Sequence, residues 1–180
     1  GDVDEILELF RKYPISYFPA VPSLFNKINQ HPGVMNGDYS LATVKACISG
    51  SAPLMESVRL TFEKNTGGFL VEGYGLSEAP TATHCNPILG EKRSGSIGLP
   101  LPDVDCRITR LQEDSVDVSI GEEGELWVRG PQIMLGYLND ANETKNALQD
   151  GWLRTGDIAR MDAEGYFYLS GRIKELIKVH

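Results

Sequence analysis

The sequence predicts an α/β fold followed by a mostly-β fold. In residues 1–75, amphipathic helical patterns alternate with short apolar runs that are typical of buried strands. After about residue 90, short segments of alternating polarity follow one another, each bounded by glycine, aspartate or proline. The hydrophobic content of 41% is sufficient for packed cores. We therefore expect part of a parallel α/β sheet in residues 1–90 and a small, distorted β-barrel in residues 91–173.

Helices are predicted at three places in the first part. The first helix has apolar residues at the spacing i, i+3, i+4 and i+7 and ends near Pro14. These apolar residues are Val3, Ile6, Leu7 and Phe10. Proline begins the second and third helices, PSLFNKINQ at Pro22 and PLMESVRLTFEKN at Pro53. Proline suits the first turn of a helix because it has no N–H group to leave unpaired there.

Strands are predicted between these helices, in ISYFPA, VKACIS and GFLVEGY. Strands that alternate with helices at this spacing form right-handed crossovers and a parallel sheet. Ligands bind open parallel sheets beyond the carboxyl ends of the strands. Gly50-Ser51-Ala52 follows the second strand and Gly73-Tyr74-Gly75 follows the third, so we expect both glycine turns side by side at one edge.

The second part is predicted to be β-structure with one helical interruption. Its strands are expected in DCRITRL, GELWVRG, WLRTGDIARM and GYFYLSG, and the helix is expected in NETKNALQ. DAEG, between the last two strands, is typical of a hairpin turn. This half is therefore expected to be a small barrel or sandwich.

Composition excludes several classes of function. The formal charge of −8 argues against nucleic acid as the main partner, because phosphate contacts need clustered Lys and Arg. No apolar run approaches the ~20 residues of a transmembrane segment. The three cysteines, Cys47, Cys85 and Cys106, are widely spaced and odd in number, which predicts free thiols in a reducing compartment. A cytoplasmic location is the resulting expectation.

The stretch VEGYGLSEAP contains the first candidate site residues. Gly73 and Gly75 allow the backbone to approach a ligand closely, and Tyr74 between them can stack on a flat ring. Ser77 can bond an oxygen atom, and Glu78 can hold a divalent cation. On these residues alone, the alternative is a strand-to-helix turn with Ser77 as its N-cap.

Asp157 and Arg172 are the second group of candidates. Asp157 follows a Thr-Gly pair at a turn, where its carboxylate could accept two hydrogen bonds from a cis-diol such as ribose. An Asx-turn is the alternative for Asp157, and a solvated guanidinium is the alternative for Arg172. The chain has no GxxxxGK[ST] motif and no Gly-Lys pair, so it is not a P-loop protein.

Four motifs together resemble those of one family. In chain order they are ISGSAPL, EGYGLSE, GELWVRGPQIMLGYLNDANET and WLRTGDIARMDAEGYFYLSGRIKELIK. Over roughly residues 45–178, their order and spacing resemble those of the adenylate-forming enzymes, such as acyl-CoA synthetases, firefly luciferase and peptide-synthetase adenylation domains. Ser77 stands where the family usually has threonine. EGYGLSE, SGSIGLPLP and GPQIMLGYLND are most similar to the long-chain fatty-acyl-CoA ligase branch.

The resemblance implies a set of nucleotide-binding residues. They are Gly50, Ser51, Ala52, Glu72, Gly73, Tyr74, Gly75, Ser77, Asp157 and Arg172. Residues 50–52 would wall the adenine and acyl pocket, and residues 72–74 would flank the adenine, with Tyr74 stacked on it. Asp157 would accept hydrogen bonds from both ribose hydroxyls, and Arg172 would also contact the ribose.

The resemblance implies catalytic, metal and hinge residues as well. Ser77 would contact the α-phosphate, and Glu78 would bind Mg²⁺. Lys174 would be the hinge about which a small C-terminal domain rotates, so that residues 174–180 would begin that domain. Lys178 matches a lysine that some members use in the thioester-forming state.

The chemistry implied by the resemblance has two steps, which use ATP, a carboxylic acid and coenzyme A. A medium- or long-chain fatty acid would attack ATP to give an acyl-adenylate and pyrophosphate, and coenzyme A would then displace AMP. The family's phosphate loop, expected upstream, and its catalytic lysine, expected downstream, have no counterpart in the sequence. We therefore expect an internal fragment that is inactive by itself.

Other readings of the sequence are open. An amino-acid or aryl-acid adenylation domain is the second enzyme hypothesis, and a non-catalytic AMP-binding or interaction module is the third. An unpaired edge of a partial sheet predicts self-association, so a homo-oligomer is a further expectation. Attachment of the full-length protein to a membrane surface is also left open.

Overall fold

A computed structural model describes residues 2–111 and 113–175, apart from the side chains of residues 114 and 115. The described residues form two compact units, which we treat separately. The first comprises residues up to Gly73 and Asn86–Gly95, and the second comprises Tyr74–Cys85 and the residues from Ser96 onward. Within the described ranges, no helix is both long enough and apolar enough to cross a membrane.

Helices alternate with parallel strands in the first unit. Its elements are α1 (Val3–Lys12), β1 (Tyr17–Ala20), α2 (Pro22–Gln30), α3 (Pro32–Met35), β2 (Ala46–Ser49), α4 (Glu56–Thr66) and the beginning of β3 (Phe69–Leu76). Strand β2 lies between β1 and β3 and is parallel to both. The predicted parallel α/β sheet is therefore confirmed.

Aromatic side chains connect the helices of the first unit to its sheet. Phe18 on β1 contacts the rings of Phe10 on α1 and Phe25 on α2 edge to face, with centroids 5.5 and 5.7 Å apart. Phe25 contacts Phe62 on α4 in the same way at 4.9 Å. Edge-to-face pairs at these distances add to the stabilisation from apolar burial. The amphipathic pattern of the sequence thus marks the residues of the core.

The first unit differs from the prediction at two helices. Helix α4 begins at Glu56 instead of Pro53, because Met55 has an extended backbone with a ψ of 133°. The N–H of Leu54 donates to Glu72 Oε2 at 3.1 Å, which holds the preceding segment against β3. Helix α3 was not predicted, since its four residues are too few to show a helical period.

The second unit is built mainly of strands. After the end of β3, its elements are β4 (Ala79–Cys85), β5 (Leu99–Pro100), β6 (Asp105–Arg110), β7 (Glu113–Asp117), β8 (Gly124–Arg129), α5 (Ala141–Ala147), β9 (Leu148–Gln149), β10 (Trp152–Met161) and β11 (Phe167–Arg172). A 3₁₀ turn follows at Ile173–Glu175. The order of the main sheet is β11-β10-β8-β6-β7, all neighbours being antiparallel, and β9 pairs with β10. The predicted change from α/β to mostly-β structure is confirmed.

The VEGYGLSEAP stretch is a strand and a turn, not a turn that leads into a helix. Tyr74 and Gly75 lie within β3, and the two-residue turn Ser77-Glu78 connects β3 to its neighbour β4. The alternative of Ser77 as a helix N-cap is therefore wrong. A Cβ on Gly75 would lie 2.8 Å from the carbonyl oxygen of Thr81, so the close pairing of this hairpin requires glycine there.

The division into units also differs from the predicted boundary at residues 90 and 91. Strand β4 belongs to the second unit, where His84 pairs with Pro100 and Cys85 pairs with Leu99 on β5. Ala79, at the start of β4, is fully buried in the core of this unit. The chain thus enters the second unit at Tyr74, leaves it after Cys85, and returns at Ser96.

Candidate functional site

A cavity of about 510 Å³ lies in the second unit. Its size is within the range of small-molecule sites, roughly 300–1,000 Å³. Charged and aromatic residues from several elements line it, including Glu78, Glu125, Tyr137, Arg154, Arg172 and Lys174. Residues that are far apart in the sequence therefore meet around one concave space, which makes this cavity the candidate site.

Asp157 joins two other candidate residues near this cavity. Its Oδ2 accepts a hydrogen bond from the hydroxyl of Tyr74, and its Oδ1 accepts one from Arg172 Nε at 2.7 Å. Asp157 is 3% exposed, and its partner Arg172 lies directly opposite on β11. Burial and the neighbouring carboxylate both raise the pKa of Tyr74, so this phenol remains a hydrogen-bond donor at neutral pH. Tyr74 and Arg172 are therefore both hydrogen-bonded to Asp157, as expected if the three residues belong to one site.

A bulge in β10 sets the position of Asp157. The register between β10 and β8 shifts between Arg154 and Ile158, and Gly156 has a φ of +70°, which favours glycine. The hydroxyl of Thr155 donates to Leu126 O at 2.7 Å and accepts from Asp157 N at 3.0 Å. The TGD sequence therefore forms a fixed bulge that directs the aspartate.

Glu125 supports the same bulge from the neighbouring strand. Its Oε1 accepts a hydrogen bond from Gly156 N at 3.3 Å, and its Oε2 accepts one from Arg154 Nη2 at 2.8 Å. The side chain of Glu125 is only 5% exposed, whereas that of Arg154 is 29% exposed. Loss of either partner would leave a buried polar group without its hydrogen bond, which is costly.

Glu78 and Tyr137 meet on another side of the cavity. The Tyr137 hydroxyl donates to Glu78 Oε1 at 2.7 Å. This hydrogen bond, with a contribution from burial, raises the pKa of Tyr137 to about 12. Glu78 therefore has one oxygen held by a neutral donor, and within residues 2–111 and 113–175 no donor bonds its second oxygen.

Gly50, at the carboxyl end of β2, lies next to Gly73 within β3, as the parallel topology predicts, although the Gly73-Tyr74-Gly75 stretch is strand and not a turn. A Cβ on Gly50 would lie 3.6 Å from the carbonyl oxygen of Gly73. Ser51 and Ala52 follow as an exposed bend, in which Ser51 has a φ of +69°. Burial raises the pKa of Glu72, whose carboxylate accepts the Leu54 N–H. Residues 50–52, 72 and 73 belong to the first unit, whereas the cavity is lined by residues of the second.

The remaining candidate residues are Ser77, Lys174 and Lys178. Ser77 is exposed in the β3–β4 turn, between Leu76 and Glu78, which both line the cavity. Lys174 is exposed in the 3₁₀ turn and lines the cavity as well. Lys178 lies outside the described residues.

Charges of both signs surround the cavity. Its lining includes the carboxylates of Glu78, Glu125, Glu143 and Glu175 and the cations of Arg154, Arg172 and Lys174. Arg154 is paired with Glu125 and Arg172 with Asp157, so two of these cations are already compensated. A polyanionic ligand would therefore need further cations, as the acidic composition of the chain predicts.

Sequence reasoning missed several residues of this site. Glu125, Thr155 and Tyr137 all lie inside the motifs that carry the family resemblance, but no role was inferred for them. Their partners are distant in the sequence, since Glu125 is 29 residues from Arg154 and Tyr137 is 59 residues from Glu78. The local sequence contains no signal for such pairs.

His84 is a buried histidine next to Tyr74, and it makes stability depend on pH. It is 0% exposed, and its Nδ1 and Nε2 lie 3.0 Å from Thr83 Oγ1 and 3.4 Å from Cys106 Sγ. Burial lowers the pKa of His84 to about 3, against 6.5 for the free side chain. Between these values the unfolded state binds more protons. The free energy of unfolding should therefore decrease as the pH falls, by up to ~1.4 kcal/mol per pH unit.

We expect acidification to destabilise the second unit less when His84 is replaced. Urea unfolding at pH 7.0 and 4.5, followed by tryptophan fluorescence, measures this, because Trp127 and Trp152 both lie in the second unit. The His84→Gln variant should lose less unfolding free energy than the wild type between the two pH values, and His31→Gln in the first unit serves as the control. Equal losses in wild type and His84→Gln would contradict this prediction.

Comparison with known proteins identifies the family. A family model described as AMP-binding enzyme matches residues 2–138, which is most of the chain. The chain belongs to the AMP-binding enzyme family. This confirms the family that the four motifs resemble, and the matched range includes Tyr74, Glu78 and Tyr137 of the candidate site.

Relatives of this chain include enzymes named as fatty-acid ligases. A long-chain-fatty-acid–CoA ligase of Bacillus subtilis (strain 168) is 45% identical over 174 residues, which cover 96% of the chain and 30% of that protein. A long-chain-fatty-acid–CoA ligase of Yersinia pestis is 39% identical over 178 residues, which cover 99% of the chain and 31% of that protein. The chain therefore spans about a third of the length of these relatives.

A solved structure shows the same fold. The crystal structure of ATP-bound MatB from Rhodopseudomonas palustris matches with a TM-score of 0.82 and 30% identity. The match covers 98% of the chain and 34% of MatB. The α/β part and the mostly-β part of the chain are thus the architecture of an adenylate-forming enzyme.

Proposed function

We propose that this chain provides the nucleoside side of the ATP site in an AMP-forming acyl-CoA ligase that activates a medium- or long-chain fatty acid. The observation that carries the proposal is the group formed by Tyr74, Asp157 and Arg172 near the 510 Å³ cavity. A buried carboxylate with an aromatic ring and a guanidinium matches the needs of a nucleoside, which has a flat base and a cis-diol.

Asp157 would bind the ribose through lone pairs that its protein partners leave free. Each carboxylate oxygen has two acceptor sites, and Tyr74 and Arg172 each use one. The two oxygens can therefore each accept one further hydrogen bond from the ribose hydroxyls. Arg172, with a side chain 58% exposed, would place its remaining N–H groups beside the same sugar.

Glu78 fits a magnesium ion that is held mainly by the nucleotide. No group of three or more His, Cys, Asp or Glu in the described ranges could form an all-protein metal site. Mg²⁺ in nucleotide sites usually has one or two carboxylate ligands together with phosphates and waters. Glu78 would be that carboxylate, and the bound ion would neutralise phosphate charge as the reaction proceeds.

The proposed reaction has two steps on the whole protein. A fatty-acid carboxylate oxygen bonds to the α-phosphorus of ATP, and the bond to the pyrophosphate oxygen breaks. The thiolate of coenzyme A then attacks the carbonyl carbon of the acyl-adenylate, and AMP leaves. In these steps Tyr74, Asp157 and Arg172 would hold the nucleoside and Ser77 would contact the α-phosphate. Residues 50–52 and 72–75 would bound the base and acyl group.

The remaining parts of the proposal concern the whole protein. Lys174 would be the hinge to a C-terminal domain, in which Lys178 would act during thioester formation. The protein would be cytoplasmic, and the choice of a fatty acid rests on the relatives' names at 45% and 39% identity.

A substrate screen of the full-length protein tests this function. We expect ATP–pyrophosphate exchange to be fastest with medium- or long-chain fatty acids and slower by at least about tenfold with aryl or amino acids, since pocket contacts of a few methylene groups give such ratios. Fastest exchange with an amino acid or aryl acid would replace the proposal with the alternative adenylation activity. Absence of exchange with every acid would favour a non-catalytic AMP-binding module.

The 180-residue chain alone provides a second arm of this screen. Because the pyrophosphate side of the site would come from other parts of the protein, we expect no exchange above background from this chain. Robust turnover by the chain alone would contradict the proposed division of the site.

A further inference from the structure

Tyr137 restricts how Glu78 can bind a metal ion. Its hydroxyl donates to Glu78 Oε1 at 2.7 Å, so this oxygen already has a protein partner on the cavity wall. A cation in the cavity would therefore meet Glu78 mainly through Oε2. Glu78 would be a monodentate ligand and not a bidentate one.

The backbone around Tyr137 is itself held in place. The hydroxyl of Thr144 accepts a hydrogen bond from Tyr137 N at 2.8 Å and donates to Asp140 O at 2.7 Å. Gly136 has a φ of +148°, and a Cβ there would lie 2.7 Å from Thr144 Cγ2. These contacts within GYLNDANET hold the backbone of Tyr137, and therefore the Cα–Cβ bond of its side chain, in one position.

We propose that Tyr137, held by Thr144, is a positioning residue that makes the metal site selective for Mg²⁺ over Ca²⁺. This inference rests on the proposed function, because it assumes that Glu78 is a ligand of the nucleotide-bound ion. The family resemblance implies no role for Tyr137 or Thr144, and the inference is supported by the hydrogen bond between Tyr137 and Glu78, which are 59 positions apart.

The chemistry of the two ions explains the selectivity. Mg²⁺ is small and strictly octahedral, and it commonly binds a carboxylate through one oxygen. Ca²⁺ accepts more ligands in flexible geometry and binds carboxylates through one or both oxygens. The phenol uses one of the two acceptor sites of Oε1 and so competes with a cation for this oxygen. It therefore disfavours bidentate coordination, which would help Ca²⁺ most. Loss of this hydrogen bond should therefore improve Ca²⁺ relative to Mg²⁺.

Calorimetric titration of ATP into the full-length protein tests the inference without measuring turnover. Each protein is titrated with ATP in excess Mg²⁺ and in excess Ca²⁺, and the ratio of the two dissociation constants is compared. We expect Tyr137→Phe to reduce the preference for Mg²⁺ by about tenfold, the usual scale for removing a residue that orients a metal ligand. Thr144→Val should change the ratio in the same direction, whereas Thr144→Ser, which keeps the hydroxyl, should have the wild-type ratio.

Tyr39→Phe is the matched control. Tyr39 also donates a hydrogen bond to a glutamate, Glu8, at 2.8 Å, but it lies in the first unit and outside the cavity. This variant should keep the wild-type ratio. A wild type that binds ATP, together with a Tyr137→Phe variant of unchanged metal ratio, would overturn this inference and leave the proposed function intact. A wild type that binds no ATP in either metal would overturn both.

Discussion

Replacement of Asp157 by alanine in the full-length protein is expected to lower kcat/KM for ATP by about 30- to 1,000-fold. This corresponds to a loss of about 2 to 4 kcal/mol of transition-state stabilisation, the scale for removing one partner of a buried, charge-assisted hydrogen bond. Asp157 is 3% exposed and accepts hydrogen bonds from both Tyr74 and Arg172, so its loss would also deprive the Tyr74 hydroxyl of this acceptor. Steady-state kinetics with ATP as the varied substrate measures the effect.

Asp105→Ala is the matched control for this experiment. Asp105 also pairs with an arginine, Arg129, but its side chain is 62% exposed and does not line the cavity. Exposed pairs of this kind contribute little, so kcat/KM should change by less than about fivefold. Kinetics of Asp157→Ala that match those of Asp105→Ala would remove Asp157 from the site.

Replacement of Glu125 by alanine is expected to reduce both stability and activity. Breaking a buried ion pair costs about 3 to 5 kcal/mol, and we expect about 3 kcal/mol here because Arg154 is 29% exposed and remains partly hydrated. The Gly156 N–H would also lose its acceptor, so the bulge that directs Asp157 would loosen. Urea unfolding and the KM for ATP report these two consequences.

Glu125→Gln separates the charge of this residue from its shape. Glutamine retains an acceptor for Gly156 N but not the charge that pairs with Arg154, so it should lose less unfolding free energy than alanine and less ATP affinity. Glu113→Ala breaks the exposed pair with Arg110, in which both side chains are 55% exposed, and should cost less than about 1 kcal/mol. Equal stability of Glu125→Ala and Glu113→Ala would contradict a supporting role for Glu125.

The sequence predicted a helix or a strand correctly where the residue propensities, the hydrophobic periodicity and the residues at the two ends all indicated the same element. Helix α2 was predicted as Pro22–Gln30 and β10 as Trp152–Met161, both as the structure has them. Strand β4 was missed because APTATHC contains few β-branched or aromatic residues, and its strand character comes from pairing with β3 and β5. Pairing of this kind is a tertiary effect that overrides the local pattern.

The same limit explains which site residues the sequence predicted. Asp157 and Glu78 were predicted because carboxylates at turns have recognisable chemistry and lie in motifs of the family. The contact between Tyr74 and Asp157 joins residues 83 positions apart, and the role of Glu125 depends on the register of β8 and β10. Only the folded sheet shows that these residues support one another.

A thermodynamic cycle tests whether Asp157 binds the ribose of ATP. The full-length wild type and the Asp157→Ala variant are each titrated with Mg²⁺–ATP, 2′-deoxy-ATP and 3′-deoxy-ATP. We expect removal of either hydroxyl to weaken binding to the wild type by about 1 kcal/mol or more and to have little further effect on Asp157→Ala. Equal losses of affinity for the deoxy analogues in both proteins would show that Asp157 and the ribose are not coupled, and that Asp157 does not bind the ribose.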